Sequence, residues 1–173
     1  MNSIERRECI INLLLESREP LKGSFIANKY SVTRQVIVKD IAILRAKGEN
    51  IIATPDGYII NANEQKVKAI IAVTHTEDEM FDELNIVIKY GGIIEDVIVE
   101  HPLYGEIKGM LMIKNYNELN KFIQKYQQQK AKLLSALTNG VHLHTIAAES
   151  DEDVNLIISE LKKRNFIVSD LED

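Results

Sequence analysis

The sequence has 173 residues, of which 45% are hydrophobic, and a formal net charge of −5. This length provides for one large or two small domains, and the acidic balance excludes a protein that coats nucleic acid over its whole surface. The single cysteine, Cys9, excludes an internal disulfide framework and is typical of a reducing compartment. The first ten residues are too charged for a signal peptide, and no apolar run reaches membrane-spanning length, so we expect a soluble, cytoplasmic protein without a membrane partner.

The charge is unevenly distributed along the chain. Residues 1–61 hold nine Lys and Arg against seven Asp and Glu, a net charge of +2, whereas residues 62–173 hold twelve against nineteen, a net charge of −7. A mildly basic front and an acidic back suit a protein whose first part contacts DNA while the rest stays away from the phosphates.

Two helices are predicted at the start of the chain. Isoleucine and leucine at helical spacing predict a helix over residues 4–17, which Pro20 closes. Residues 23–29 predict a short second helix with Phe25 and Ile26 as core anchors. A tight turn at residues 30–32 should then lead into a third helix.

The third helix lies within residues 31–48. Thr33 is a plausible N-cap and Gly48 a plausible stop, because a threonine hydroxyl accepts from a first-turn amide and glycine adopts the left-handed conformation. One apolar stripe is predicted to be buried: Ile37, Ile41 and Leu44. The polar and basic side chains that we predict to contact DNA are Thr33, Arg34, Gln35, Lys39 and Arg45.

A β-hairpin is predicted after the third helix. Two β-prone runs, residues 51–54 and 58–60, flank the turn signal Pro55-Asp56-Gly57. Three helices and a hairpin in sixty residues favour a winged helix-turn-helix that binds double-stranded DNA, although a purely structural subdomain is the alternative. The segment, from residue 4 to about 60, resembles the DNA-binding domain of biotin-repressor-type regulators through SFIANKYSVTRQVIVKDIAILRAKG and the hairpin IIATPDGYII.

A second domain is predicted after a polar boundary at residues 61–64, so that the domains are 1–61 and 62–173. Strands are predicted at residues 66–74, 93–100, 106–114, 141–148 and 166–168, with a bulge at Gly109. Helices are predicted over 76–90, which opens with a capping box of Thr76 and Glu79, and over 116–134 and 151–164. Short connections between successive strands favour an α+β class with a mostly antiparallel sheet and helices on one face.

All four histidines of the chain lie in this second part. His142 and His144 leave the same face of a predicted strand, and His75 ends the first strand of the domain. Glu83 follows the helix cap by seven residues and is therefore on nearly the same side of its helix. If the two strands are neighbours, three imidazoles and a carboxylate meet, a set that suits zinc, nickel, iron or manganese. The alternatives are hydrogen-bonded core or surface histidines and a solvated Glu83.

Three blocks of sequence carry a resemblance that covers residue 66 to the end. They are VTHTEDEMFDELNIVIKYGG, VEHPLYGEIKGML and GVHLHTI, and they resemble the histidine-bearing blocks of the three-histidine domain of niacin-responsive transcriptional repressors. The resemblance implies a two-layer α/β sandwich similar to the histidine-containing phosphocarrier fold. It also implies one divalent transition metal ion per subunit, held by His75, Glu83, His142 and His144. The role of His101 is left open between lining a ligand pocket and pinning the turn before Pro102.

Three functions compete at this point. The resemblance implies a repressor of NAD-biosynthesis or niacin-uptake genes, with nicotinic acid or a related pyridine carboxylate as co-repressor. We expect a homodimer, because one winged helix buries too little surface for tight specific binding. A metalloregulator, in which the metal is itself the signal, is the alternative. An enzyme such as a biotin ligase is the weakest hypothesis, because about 110 residues remain after the first domain and the chain shows no nucleotide-binding loop and no nucleophile arranged with a base.

Overall fold

The computed structural model describes residues 2–60, 66–129 and 131–168. The chain divides into two compact units, Met1–Glu64 and Gln65–Asp173. The predicted boundary at residues 61–64 lies outside the described residues. Among the helices that are described, none is both long enough and apolar enough to cross a membrane.

The first unit is a three-helix bundle with a hairpin. Its elements are α1 (Ser3–Glu16), α2 (Gly23–Lys29), α3 (Arg34–Ala46), β1 (Ile51–Thr54) and β2 (Gly57–Ile60). The predicted stripe of α3 is buried, together with Ile10 and Leu14 of α1 and Ile26 of α2. Phe25 was wrongly predicted as a core anchor, since it is 51% exposed. Successive helical residues point about 100° apart, and α2 turns Ile26 and Ala27 inward, so that Phe25 faces out.

Two tertiary contacts fix this unit. Asp40 of α3 is buried, and its carboxylate accepts from Arg6 Nε at 2.6 Å and from Arg7 Nη1 at 3.3 Å, which ties α1 to α3. The hairpin is held by a pair of backbone hydrogen bonds, Leu21 N–H to the Tyr58 carbonyl at 2.8 Å and the reverse at 2.9 Å. A Cβ at Gly57, where φ is +140°, would lie 2.3 Å from the Leu21 carbonyl oxygen, so this position requires glycine.

The second unit is a four-stranded sheet covered by helices. Its elements are β3 (Val67–Thr74), a 3-10 turn (Glu77–Glu79), α4 (Met80–Lys89), β4 (Ile93–His101), β5 (Gly105–Ile113), α5 (Tyr116–Gln129), a second 3-10 helix (Leu134–Thr138), β6 (Val141–Ala148) and α6 (Asp151–Lys163). The strand order is β3-β6-β4-β5, and each neighbouring pair is antiparallel. Helices α4 and α6 pack on the sheet and against each other. The predicted α+β class is therefore confirmed.

Several predicted elements of this unit have different limits. The capping box of Thr76 and Glu79 is present, with the Glu79 carboxylate accepting from both the amide and the hydroxyl of Thr76. The helix predicted over 116–134 is described as α5 up to Gln129, and a separate 3-10 helix begins at Leu134, whose side chain lies close to Gly109. The bulge predicted at Gly109 is wrong: Gly109 pairs regularly with Val97, and the register shifts further along β5, near Met112, whose φ is +54°. The last predicted strand is reduced to a bridge between Val73 and Ile167.

Candidate functional site

Strand pairing brings the three predicted histidine ligands together. The register between β3 and β6 places Val73 opposite His142 and Ile71 opposite His144. Alternation along β6 turns both imidazoles to one face, and His75 follows the end of β3 beside them. The rings of His75 and His142 lie 4.9 Å apart between centroids, and those of His142 and His144 lie 4.8 Å apart.

Helix α4 supplies the carboxylate. Its buried face is formed by Met80, Glu83, Leu84 and Val87, so that Glu83 occupies a position where an apolar side chain is usual. Glu83 is 0% exposed, and its Oε2 lies 3.8 Å from His75 Nε2 and 3.6 Å from His144 Nε2. Within the described part of the chain, neither oxygen of Glu83 has a hydrogen-bond partner. A buried carboxylate without a partner is costly unless a cation or a proton satisfies it.

The outer nitrogen of each histidine is already engaged. Nδ1 of His75 lies 2.7 Å from the Thr76 carbonyl oxygen, and Nδ1 of His142 lies 2.8 Å from that of Gly140. Nδ1 of His144 lies 2.5 Å from the carbonyl oxygen of Asp96. Because a carbonyl oxygen only accepts, each Nδ1 carries a proton, so that Nε2 is the atom that presents a lone pair in the neutral imidazole. The Nε2 atoms of His142 and His144 nevertheless face each other at 3.1 Å, an arrangement that a shared cation relieves.

The spacing of these atoms fits a metal ion. One ligand atom each from His75, Glu83 and His142 lies within 4.8 Å of the others. Four atoms bound tetrahedrally at about 2.1 Å to one ion lie about 3.4 Å apart. Three of the six pairs lie near that value: His142 and His144 at 3.1 Å, His144 and Glu83 at 3.6 Å, and His75 and Glu83 at 3.8 Å, each measured between Nε2 or Oε2 atoms. Of the four predicted ligands, His75, Glu83 and His142 form a group that could hold a metal ion, and His144 Nε2 lies 3.6 Å from Glu83 beside them. Imidazole nitrogens and a carboxylate oxygen suit a divalent transition metal.

Burial sets the protonation of this cluster. Burial raises the pKa of Glu83 to about 8, so the metal-free protein holds a proton on this carboxylate at pH 7. Burial is also the main reason why the pKa of His142 falls to about 4 and the pKa of His144 to about 3, with the neighbouring histidines adding to both. Both imidazoles are therefore neutral at pH 7 and ready to act as ligands.

His101 makes contacts within the turn that follows it. Its Nδ1 accepts from the backbone amides of Leu103 at 3.2 Å and Tyr104 at 3.3 Å, and its ring lies 4.9 Å from that of Tyr104. These contacts pin the turn between β4 and β5.

A hollow of about 490 Å³ lies beside His142, where the pairing of β4 and β6 ends. Its described lining combines apolar side chains with two carboxylates and contains neither lysine nor arginine: Ile98, Val99, Glu100, Gly105, Glu106, Thr138, Val141, His142 and Leu143. His101 is not among the lining residues. Of the four predicted metal ligands, His142 is the only one among the lining residues in the part of the chain that is described.

The predicted DNA contacts lie on the exposed side of α3. The Thr33 hydroxyl accepts from the Val36 amide at 3.4 Å, which is the predicted N-cap. All five predicted side chains are exposed. Arg34 lies against the start of α2 and lines a hollow of about 360 Å³ that the hairpin completes. Val38 of the same helix is also exposed, at 43%. It is not among the predicted DNA contacts, although the sequence places it outside the buried stripe.

Two known domain families match the chain, one over each unit. Residues 6–59 match an HTH domain, and residues 68–170 match the 3H domain. The fold and these matches define a DNA-binding transcription regulator with a winged helix in front of a 3H domain.

Relatives over nearly the whole length specify the family. The chain is 44% identical over 166 residues to a Thermotoga maritima protein named Probable transcription repressor NiaR, covering 96% of this chain and 95% of the relative. It is 36% identical over 169 residues to Transcription repressor NadR of Bacillus subtilis, covering 95% of this chain and 94% of that protein. The chain belongs to this NiaR and NadR family, the niacin-responsive repressors that its sequence resembles, and is a transcription repressor rather than an enzyme.

Proposed function

We propose that this repressor binds its operator as a homodimer and that nicotinic acid, or a related pyridine carboxylate, acts as its co-repressor. The controlled genes would be those of NAD biosynthesis or niacin uptake, as the family resemblance implies. A dimer is favoured because a single winged helix buries too little surface for tight specific binding. The exposed side of α3, with Arg34, Gln35 and Lys39 in its first turns, would enter the major groove.

The proposal includes one divalent metal ion in each second unit. The observation that carries it is the pair of Nε2 lone pairs facing each other at 3.1 Å beside the buried, partnerless Glu83. The ion would be held by His75, Glu83, His142 and His144. The Nδ1 proton of each histidine is hydrogen-bonded to a backbone carbonyl. A bound divalent ion would supply positive charge, and an ion that takes more than four ligands would keep an open position for a carboxylate or a ring nitrogen beside these four side chains.

The hollow beside His142 supports a particular orientation of the ligand. Its volume, about 490 Å³, exceeds what a pyridine carboxylate needs. Glu100 and Glu106 in its lining would repel the ligand carboxylate, which should therefore point to the metal centre, while Ile98 and Val141 contact the ring. Nicotinamide has the same ring without the charge and is the natural control ligand.

A DNA titration tests this function. The operator fragment is first selected from random-sequence DNA by the protein itself, and its affinity is then measured with and without nicotinic acid, on metal-loaded and on chelator-treated protein. A co-repressor works only by binding the DNA-competent state better, and a typical coupling of about 1–3 kcal/mol corresponds to roughly 5- to 150-fold tighter operator binding.

The outcomes of this titration separate the two functions. Tightening only when ion and nicotinic acid are both present supports the proposal. Tightening by the ion alone, with no response to nicotinic acid, indicates a metal-sensing repressor. Operator affinity that responds to neither contradicts both functions.

A further inference from the structure

The pairing of β4 with β6 is irregular next to the metal centre. Ile94 pairs with Ile146 and Ile98 with Leu143, so that four residues of β4 span the same distance as three of β6. β4 therefore carries one extra residue, and Asp96 lies in the middle of this irregular stretch. Asp96 is only 2% exposed, so each of its polar groups needs a partner within the protein.

The side chain of Asp96 accepts a hydrogen bond that a backbone carbonyl would accept in a regular β-ladder. The amide of Thr145 donates to Asp96 Oδ1 at 2.9 Å. The carbonyl oxygen of Asp96 is thereby left for another donor, and it accepts from His144 Nδ1 at 2.5 Å. One residue thus satisfies two consecutive residues of β6, one through its carboxylate and one through its backbone.

His144 differs from the other two histidines in the carbonyl that its Nδ1 contacts. Nδ1 of His75 and of His142 each bind a carbonyl within two residues of the same segment, at Thr76 and Gly140. The carbonyl that binds His144 belongs to a different strand, 48 residues away in sequence. The tautomer and the ring orientation of His144 are therefore tertiary features of the fold.

We propose that Asp96 is a positioning residue for His144: its carboxylate holds the Thr145 amide, so that its carbonyl is free to fix His144 with Nε2 toward Glu83. This inference rests on the proposed role of His144 as a metal ligand. Partners of this kind fix the ring and the tautomer of a metal-binding histidine, and their loss typically costs 10- to 100-fold in metal affinity.

The second carboxylate oxygen of Asp96 has a separate partner, which supplies a control. Oδ2 lies 3.1 Å from Nζ of Lys108, a half-exposed residue of the neighbouring strand β5. Lys108→Met removes this ion pair and leaves the Thr145 contact in place. Asp96→Asn also keeps an oxygen that can accept from Thr145, whereas Asp96→Ala removes the acceptor.

The experiment measures the tautomer of His144 in the metal-free full-length protein from its imidazole ¹⁵N chemical shifts, and the affinity for Zn²⁺ by competition with a chelating dye. We expect a single Nδ1–H tautomer for His144 in the wild type, in Lys108→Met and in Asp96→Asn. Asp96→Ala should show a mixture of tautomers and bind Zn²⁺ 10- to 100-fold more weakly, and Asp96→Asn should restore the affinity to within about threefold of the wild type.

Two results would overturn the assignment. The first is an Nε2–H tautomer of His144 in the metal-free wild type, which needs no variant and is therefore independent of whether Asp96→Ala folds. The second is a folded Asp96→Ala protein that keeps the Nδ1–H tautomer and the wild-type Zn²⁺ affinity. Failure of the proposed function gives a different result: the wild type would not bind Zn²⁺ or would not respond to nicotinic acid. The tautomer of His144 can still be measured in that case, because the measurement uses metal-free protein.

Discussion

Replacing Glu83 by glutamine should abolish a proton release that accompanies metal binding. Glu83 is completely buried, and burial raises the pKa of its carboxyl group to about 8. A raised pKa means that the folded, metal-free protein keeps this proton at neutral pH, and an ion can bind the carboxylate only by displacing it. Glutamine has nearly the same shape and no proton to lose at this position.

The expected number of released protons follows from the protonation of Glu83, His142 and His144. At pH 7, one unit below the pKa of Glu83, roughly 0.9 of a proton is bound and should be released for each ion. At pH 9 the same carboxyl group is mostly ionised, and the release should fall to roughly 0.1. The pKa values of His142 and His144, about 4 and 3, make both rings neutral at pH 7, so they contribute no protons there.

Isothermal titration calorimetry with Zn²⁺ measures this release. The binding enthalpy, plotted against the ionisation enthalpy of several weakly coordinating buffers, has a slope equal to the number of protons exchanged. A water molecule that loses a proton on binding Zn²⁺ does so in both proteins. The difference in slope between the wild type and Glu83→Gln is therefore the number of protons that Glu83 releases. Equal slopes for the two proteins at pH 7, or a wild-type slope that is the same at pH 7 and pH 9, would refute the reasoning.

Three further predictions address other residues. Arg34→Ala should weaken operator binding by roughly 1–3 kcal/mol if the side chain reads a guanine, and an equal loss on random-sequence DNA would make it a phosphate contact instead. The double variant His142→Ala His144→Ala should reduce the metal content, measured by elemental analysis, from about one ion per subunit to nearly none, whereas His101→Ala should leave it unchanged. Full occupancy in the double variant would reject these two histidines as ligands. Asp40→Ala should lower the free energy of unfolding of the first unit by about 3 kcal/mol, because it leaves two arginines without their buried partner; urea unfolding with a loss under 1 kcal/mol would contradict this.

The sequence predicts features of the fold and site that arise from local periodicity. Alternation in a strand is enough to place His142 and His144 on one face. The helical stripe of α3 is likewise readable without a structure, as is the position of Glu83 among apolar residues of α4.

Several features that depend on contacts between distant segments were not predicted. Asp40 and Asp96 look like ordinary charged residues in sequence, and only the packing of α1 on α3, or of β4 on β6, gives each its buried partners. Phe25 is as apolar as a core residue, yet the contacts of α2 bury Ile26 and Ala27 and leave Phe25 on the exposed side of the helix.

The most direct test of the central proposal is the binding of nicotinic acid itself, measured by calorimetry on the full-length protein without DNA. Metal-loaded wild type should bind nicotinic acid, and nicotinamide should bind at least tenfold more weakly because it has no carboxylate to face the metal centre. Chelator-treated wild type and the metal-loaded His142→Ala His144→Ala variant should show no binding at the same concentrations. Equal affinity for nicotinic acid in the metal-loaded and the chelator-treated protein would contradict the proposal that the His75, Glu83, His142 and His144 centre receives the co-repressor.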